Sequence, residues 1–157
     1  MSDELSIWQQ PDIIYWSQIV VESYQRLLKR KLIDSSDNPE EISKALFNAP
    51  FVVVSHGIET DPIFNYGNRI ALELWSIDWH QLIQTPSRLS AESVNQATRK
   101  AMLERVATKG YIDQYQGVRI TTTGKKFLIK QAIIWNLSDR AGKKCGQAAT
   151  FSNWEWL

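Results

Sequence analysis

The chain from residue 111 onward constrains the fold most, because its pattern fits antiparallel sheet and little else. It contains three segments rich in β-branched and aromatic residues, which are YIDQYQGVRITT (111–122), KFLIKQAIIWNL (126–137) and CGQAATFSNWEWL (145–157). Two turn sequences with a glycine, TTGK and SDRAGKK, separate them, as is typical of β-hairpins. Three long strands joined by two hairpins form a meander, in which Gly117 is the expected β-bulge.

The first 49 residues predict two helices that precede the rest of the fold. In residues 12–32, the apolar positions that recur at helical spacing are Ile13, Trp16, Val20, Tyr24 and Leu27. Asp12 is the expected N-cap of this helix. Asn38 followed by Pro39 predicts the start of a second, short helix that ends near 48–50. We therefore divide the chain into an N-terminal helical extension, 1–49, and a main domain, 50–157.

The middle of the chain predicts two short strands and then a helical region. The strands are FVVVSH (51–56) and IFNY (63–66). Asn68 is expected to cap the helix that follows, rather than to contact a ligand, and Gly67 to allow a close backbone approach or a positive φ. Short helical turns follow, and then a helix over 91–109 that begins at Ser90 and ends at Gly110.

The order of these elements predicts an α+β fold. Two short strands, helices and a three-strand meander together form one five-stranded antiparallel sheet with helices on one face, preceded by the two N-terminal helices.

Charge and composition exclude several classes of partner. Lys plus Arg total 18 and Asp plus Glu total 17, so nothing in the balance indicates a nucleic acid. No apolar run is long enough to span a membrane, and the N-terminal residues do not form a signal peptide. The sequence therefore predicts a cytoplasmic protein that binds neither nucleic acid nor membrane.

The element order resembles the PAS fold over about residues 50–157. Longer segments are similar to the MEKHLA domain family, a PAS-related group found as small bacterial proteins and at the C-terminus of plant class III homeodomain-leucine zipper proteins. These segments are SHGIETDPIFNYGN, LELW, PSRLSAE, GYIDQYQGVRI, TTGKKF and WNLSDRAGKKCGQAATFSNWEWL. The hexapeptide that names the family, the homeodomain and the zipper are missing from this sequence, so plant transcriptional roles do not carry over. The resemblance implies a sensory module that binds a small molecule or associates with another protein.

Polar residues on the predicted strands are the candidate ligand contacts. Gln131 interrupts an apolar face shared by Phe127, Ile129, Ile133, Trp135 and Leu137, and Gln147 shares a face with Cys145, Ala149 and Phe151. A polar group that faces a core needs a partner. Arg88 and Arg119 are candidates to clamp a carboxylate or phosphate.

One alternative to ligand contact stays open for these polar residues. In it, Gln131 and Gln147 bond each other or the backbone, and the arginines pair with Asp or Glu. The predicted apolar walls of the pocket are Trp75, Trp79, Phe127, Ile133 and Trp135.

Catalytic and metal chemistry are not expected. His56 and His80 are the only histidines and Cys145 is the only cysteine, which is too few for a typical metal site. Light-oxygen-voltage domains use a cysteine on their helical side, whereas Cys145 lies on the last predicted strand and is expected to act as a small buried hydrophobe. We predict no catalytic residue and no cofactor.

The N-terminal helix gives the second functional hypothesis. PAS-like domains often carry such a helix against the outer sheet face, where it forms a dimer contact. The alternative function is therefore homodimerisation through this helix and the sheet, without a ligand.

Overall fold

The computed structural model describes residues 6–90 and 96–157. The helices are α1 (Pro11–Leu28), α2 (Pro39–Phe47), α3 (Arg69–Trp75), α4 (Trp79–Leu82) and α5 (Gln96–Lys109), with short 3-10 turns at Ile7–Gln9 and Ser87–Ser90. The strands are β1 (Val52–His56), β2 (Phe64–Gly67), β3 (Tyr111–Ile120), β4 (Lys126–Ser138), β5 (Lys144–Phe151) and β6 (Asn153–Trp156). None of the described helices is both long and apolar enough to cross a membrane.

The strands form one antiparallel sheet in the order β2-β1-β5-β4-β3. The short strand β6 pairs with β4 beyond the end of β5. The pairs Ile133–Thr150 and Lys130–Asn153 belong to one continuous register, so β5 and β6 are a single line of pairing interrupted at Ser152. The predicted α+β fold with a five-stranded antiparallel sheet is confirmed, with one short strand added.

The helix α1 covers one side of the sheet, which we call the α1 face. The indole of Trp16 donates to Ser55 Oγ on β1 at 2.9 Å. The indole of Trp135 on β4 donates to the Val20 carbonyl at 3.3 Å, and its ring lies edge-on to Tyr24 with the centroids 5.0 Å apart. Burial of these large side chains, with their polar atoms bonded, is what holds the N-terminal extension to the sheet.

The opposite side of the sheet, the α3 face, is covered by α3 and the end of α5. Ala71, Leu74 and Trp75 of α3 pack in one buried cluster with Phe127 and Phe151. A smaller cluster joins α5 to strands β3 and β4, and its buried members are Val106, Ile112 and Ile134.

Local signals set most helix ends, and one N-cap differs from expectation. Asn38 Oδ1 accepts from the backbone N–H groups of Glu40 and Glu41, as predicted. For α1 the predicted cap Asp12 is wrong: the cap is Gln10, and Pro11 occupies the first helical position. The fixed φ of proline suits that position, which places Asp12 inside the first turn.

Of two predicted helix C-termini, that of α1 is wrong and that of α5 is confirmed. Helix α1 ends at Leu28, before the predicted residue 32, because Lys29 adopts a left-handed φ of 60°. The predicted end of α5 is confirmed, since Gly110 has a φ of +84° and donates to the Val106 carbonyl at 2.7 Å. The predicted start of that helix at Ser90 involves residues 91–95, which lie outside the described residues.

Asn68 uses its whole side chain to join three elements. Its Oδ1 accepts from Ala71 N at 3.2 Å, which caps α3, and from Val53 N on β1 at 3.1 Å. Its Nδ2 donates to the carbonyls of Phe51 and Leu46. The predicted capping role is confirmed. All hydrogen-bonding positions of the amide are occupied, which leaves none for a ligand.

Two extra residues in the β3–β4 pair decide which side chains share a face. The register shifts on either side of Tyr115, and Gln114 and Gln131 have φ values of 55° and 54°. Each is therefore the extra residue of a bulge, one on each strand. The bulge predicted at Gly117 is thus misplaced. Gly117 instead leaves room for its neighbours, since a Cβ there would lie 2.7 Å from Tyr115 Oη.

The bulge at Gln131 makes the predicted apolar face of β4 wrong. Phe127 and Ile129 lie on the α3 face, and so does Ala132 after the bulge. Ile133, Trp135 and Leu137 pack on the α1 face instead. One inserted residue reverses the alternation of every side chain beyond it, so the five residues predicted to share a face are divided between two.

Gly67 is needed for a close approach rather than for a positive φ. A Cβ at this position would lie 2.7 Å from Leu82 Cδ2 of α4. The glycine therefore lets α4 pack directly against β2.

Candidate functional site

Three polar side chains form a row across the α3 face of the sheet. Gln147 on β5 pairs directly with His56 on β1 and with Asn136 on β4, and directly paired residues point to the same side. On β1, Ser55 bonds α1 while Val54 packs on the α3 face, so His56 points to the α3 face. Gln147 therefore lies on the face that also carries α3 and α5, as expected for an inward-pointing side chain.

The row keeps hydrogen-bonding capacity that protein groups do not use. His56 Nδ1 lies 2.8 Å from the Gly57 carbonyl, which only accepts, so Nδ1 donates to it. Among the described residues, Nε2 has no protein partner. Gln147 Nε2 donates to Asn136 Oδ1 at a long 3.4 Å. Among the described residues, the remaining donor and acceptor positions of Gln147 have no protein partner.

The end of α5 anchors one end of this row. Asn136 Nδ2 donates to the Val106 carbonyl at 3.3 Å, and Asn136 N donates to the Gly110 carbonyl at 2.8 Å. The next residue along β5 on the same face as Gln147 is Ala149, which is small and only partly buried. The arrangement is a polar strip bounded by one helix end and short side chains.

His56 and Asn136 belong to this row, and the sequence did not single them out as ligand contacts. Their signal lies in the cross-strand register, which brings residues 56, 136 and 147 together although they are far apart in the chain. Alternation within each strand, taken alone, does not reveal that relation.

Gln131 does not face the interior, which corrects its prediction as a ligand contact. Its side chain is exposed, and its Oε1 accepts from Asn153 Nδ2 at 3.0 Å. The bulge turns it away from both cores. The two predicted glutamines therefore neither meet nor share a site.

The two candidate arginines use their guanidinium groups within the protein. Arg88 Nε lies 3.1 and 3.2 Å from the two carboxylate oxygens of Asp61, and both side chains are exposed. This is the acid pairing that the sequence left open as an alternative. Arg119 donates to the Val118 carbonyl at 3.1 Å and lies over the Tyr115 ring. The structure thus gives neither arginine the geometry of an anion clamp.

The predicted aromatic walls fall into two separate clusters. Trp75 and Phe127 lie on the α3 face, with ring centroids 5.4 Å apart. Trp79, Trp135 and Ile133 belong to the cluster beneath α1. The single aromatic pocket that the sequence predicted is therefore wrong, because the bulge in β4 and the position of α4 separate its members.

Trp75 is the predicted wall residue with an unmet polar group. It is only 6% exposed, and its Nε1 has no hydrogen-bond partner among the described residues. A buried donor without a partner costs about 1–3 kcal/mol. Trp75 therefore stays a candidate ligand contact on the α3 face.

The described residues contain no group of three His, Cys, Asp or Glu side chains placed to hold one metal ion. Cys145 packs partly buried against the cluster beneath α1, because the register shifts between Leu137 and Ser138. The prediction that Cys145 and Gln147 share a face is therefore wrong. Burial, and secondly Asp139, raise the pKa of the Cys145 thiol, which disfavours a reactive thiolate.

Solved structures similar to this one have the PAS fold. A PAS domain from Colwellia psychrerythraea matches with a TM-score of 0.59 and 12% identity, over 73% of this chain and 92% of that one. An RNA-binding light-oxygen-voltage receptor matches with a TM-score of 0.60 and 17% identity, over 76% of this chain and 34% of that one. A light-oxygen-voltage domain studied with a flavin analogue gives 0.56 and 14%, over 74% and 84% of the two chains. At such identities the likeness is one of fold.

The family comparison covers most of the sequence. The model of the MEKHLA domain matches residues 14–156, so the match includes nearly all of α1 as well as the whole sheet. No curated protein matches this chain.

Proposed function

Because the chain belongs to the MEKHLA domain family and has the PAS fold, we propose that it is a cytoplasmic, non-catalytic sensory domain that binds a small molecule on the α3 face. The observation that carries this proposal is the row His56–Gln147–Asn136. Its side chains are partly exposed on the α3 face of the sheet, so their unused hydrogen-bonding positions are accessible to a ligand.

The chemistry of the row favours an uncharged ligand. At neutral pH, Gln147 and Asn136 are uncharged, and each offers both a donor and an acceptor. A ligand edge that alternates donor and acceptor groups complements such amides, whereas the two amides offer an ionised ligand no opposite charge. Trp75 adds a buried indole N–H on the same face.

Flavin-adduct chemistry does not form part of this proposal, although two of the similar structures are light-oxygen-voltage proteins. The sequence has a single cysteine, and Cys145 packs toward the cluster beneath α1. No thiol is thus available on the α3 face.

The sheet offers a direct route from such a ligand to the N-terminal helix. Strand β4 presents Asn136 to the α3 face and the adjacent Trp135 to the α1 face. The indole of Trp135 bonds the Val20 carbonyl of α1. A ligand that moves β4 would therefore also act on the contact that holds α1.

The test is the retention of a bound small molecule through purification. Native mass spectrometry of the protein should show an added mass that disappears in the Gln147→Leu/Asn136→Leu variant. The matched control is Gln131→Leu, which removes an exposed amide from β4 and should leave the added mass unchanged. If no added mass appears, a ligand screen by NMR should shift the amides of residues 56, 136 and 147 first.

Two results would count against the proposal. One is an added mass that persists when the row is replaced. The other is an experimental structure in which protein side chains fill all the space above the row.

Dimerisation through the N-terminal helix stays a prediction of the alternative function. The apolar stripe of α1 is largely used against the sheet, and Tyr15, at 52% exposure, is the large hydrophobic residue of α1 left outside among those described. Tyr15→Lys is therefore a better test than deletion of residues 1–49, because deletion would also uncover the α1 face. Light scattering that shows a dimer in the wild type and a monomer in Tyr15→Lys would support the alternative, and unchanged mass would oppose it.

A further inference from the structure

An open groove lies where the N-terminal segment meets the β1–β2 loop and α4. Its volume is roughly 700 Å³, within the range of about 300–1,000 Å³ that is usual for small-molecule sites. Half of its lining is apolar, namely Ile7, Ile13, Ile63, Phe64, Trp79 and Ile83. Neither His56 nor Gln147 nor Asn136 lines it, so the groove is separate from the polar row.

The ionisable lining of the groove consists of three carboxylates and one imidazole, that of His80. Asp12 comes from α1, Glu59 from the β1–β2 loop and Asp78 from the cap of α4, and neither Lys nor Arg is among the lining residues. Asp61, which does not line the groove, pairs with Arg88. The three groove acids have no ion-pair partner among the described residues. Their carboxylates therefore give an apolar groove an acidic rim.

The spacing of these carboxylates argues against a metal ion. No three acidic, His or Cys side chains in the described part of the chain come close enough to share one cation. The acids come from three different segments, and apolar side chains of the same groove lie among them. The complementary ligand is thus one with separated positive charges joined by apolar segments.

We propose that this groove binds an aliphatic polyamine. Its ammonium groups pair with Asp12, Glu59 and Asp78, and its methylene segments lie over the apolar side chains of the floor. The acidic rim favours cationic ligands by charge complementarity. The apolar floor favours a cation that carries methylene segments over a metal ion without them.

Such a ligand would also fasten the N-terminal segment to the rest of the protein. Asp12 belongs to the first turn of α1, whereas Glu59 and Asp78 belong to the main domain. A polyamine that contacts both sides stabilises the assembled form by mass action. Thermal unfolding should accordingly shift upward with polyamine concentration.

The experiment is isothermal titration of the 157-residue chain with spermidine at about 0.15 M salt. The groove variant is Asp12→Asn/Glu59→Gln/Asp78→Asn, which removes charge but keeps acceptor oxygens for the backbone N–H groups of Ile63 and Gln81. We expect the dissociation constant to rise by at least about tenfold, since three ion pairs are lost. 1,8-Octanediol, which has the chain without the charges, should not bind.

The matched control is Asp34→Asn/Asp37→Asn/Glu104→Gln. It removes the same number of negative charges from exposed residues that do not line the groove, and binding should stay within about twofold of the wild type. The Gln147→Leu/Asn136→Leu variant should also bind spermidine normally, which separates this proposal from the one above.

The proposal is overturned if spermidine gives no binding heat with natively folded protein, or if the control and groove variants weaken equally. It is also overturned if Mg²⁺ competes with spermidine at equal concentration, or if a Lys-rich peptide binds the groove while spermidine does not.

Discussion

The two faces of the sheet differ in how the indole N–H groups of three tryptophans are used. On the α1 face, the indoles of Trp16 and Trp135 both donate hydrogen bonds across the interface with α1. On the α3 face, the indole of Trp75 has no partner among the described residues, and Gln147 bonds only weakly to Asn136. Tyr66 Oη, buried in the cluster beneath α1, also has no hydrogen-bond partner among the described residues. The contrast therefore lies in the indoles and in Gln147: the bonded indoles of the α1 face hold α1, whereas the α3 face keeps positions that a ligand can use.

The largest loss of stability is expected from a substitution on the α1 face. Trp135→Ala should lower the free energy of unfolding by about 3–5 kcal/mol, because it removes a fully buried ring and a hydrogen bond. Urea denaturation followed by circular dichroism measures this loss. A loss below about 1 kcal/mol would mean that α1 is not held as the structure shows.

The junction at Asn68 should give the next largest effect. Asn68→Ala removes four hydrogen bonds from a buried site, and we expect a loss of about 3 kcal/mol. Asn38→Ala, at an exposed cap of the same type, is the control and should cost about 1 kcal/mol. Equal losses in the two variants would contradict the joining role of Asn68.

A substitution in the polar row of the α3 face should change the free energy of unfolding only weakly. Gln147→Leu should alter the free energy of unfolding by less than about 1 kcal/mol, because its hydrogen bond is long and the residue is only partly buried. A loss as large as that of Trp135→Ala in the same urea experiment would remove the contrast between the faces.

The smallest change in stability is expected at Gln131, the bulge residue of β4. Gln131→Gly should stabilise the protein by about 0.5–1 kcal/mol, because a left-handed φ strains a residue with a side chain. The lost bond to Asn153 is exposed and offsets little of this gain. Gln131→Val should destabilise, and thermal unfolding of the pair checks the sign of both effects.

Features that depend on a few neighbouring residues could be predicted from the sequence. Asn38, Asn68 and Gly110 each mark a helix end through chemistry that acts within one turn, and all three predictions are confirmed. The sheet and its meander follow from alternation and turn residues. The family resemblance is confirmed by the match over residues 14–156.

Features that depend on pairing between strands could not be predicted in this way. The bulge at Gln131 decides on which face of the sheet Trp135 lies. This bulge on β4 stands next to the bulge at Gln114 on the paired strand β3. A glutamine carries no local signal for a positive φ. For the same reason Gln131 was wrongly expected to face inward, whereas Gln147, on a regular stretch of β5, was placed on the correct side.

The contact of α1 with β4 has a consequence for synthesis of the chain. The indole of Trp135 meets the Val20 carbonyl across a separation of 115 residues, and Ser23 bonds Ser138 across the same separation. At about 5–20 residues per second on the ribosome, α1 waits on the order of ten seconds for the strand it covers. Helix α1 is thus made well before it can dock, and during that interval its apolar stripe lacks the strand that covers it.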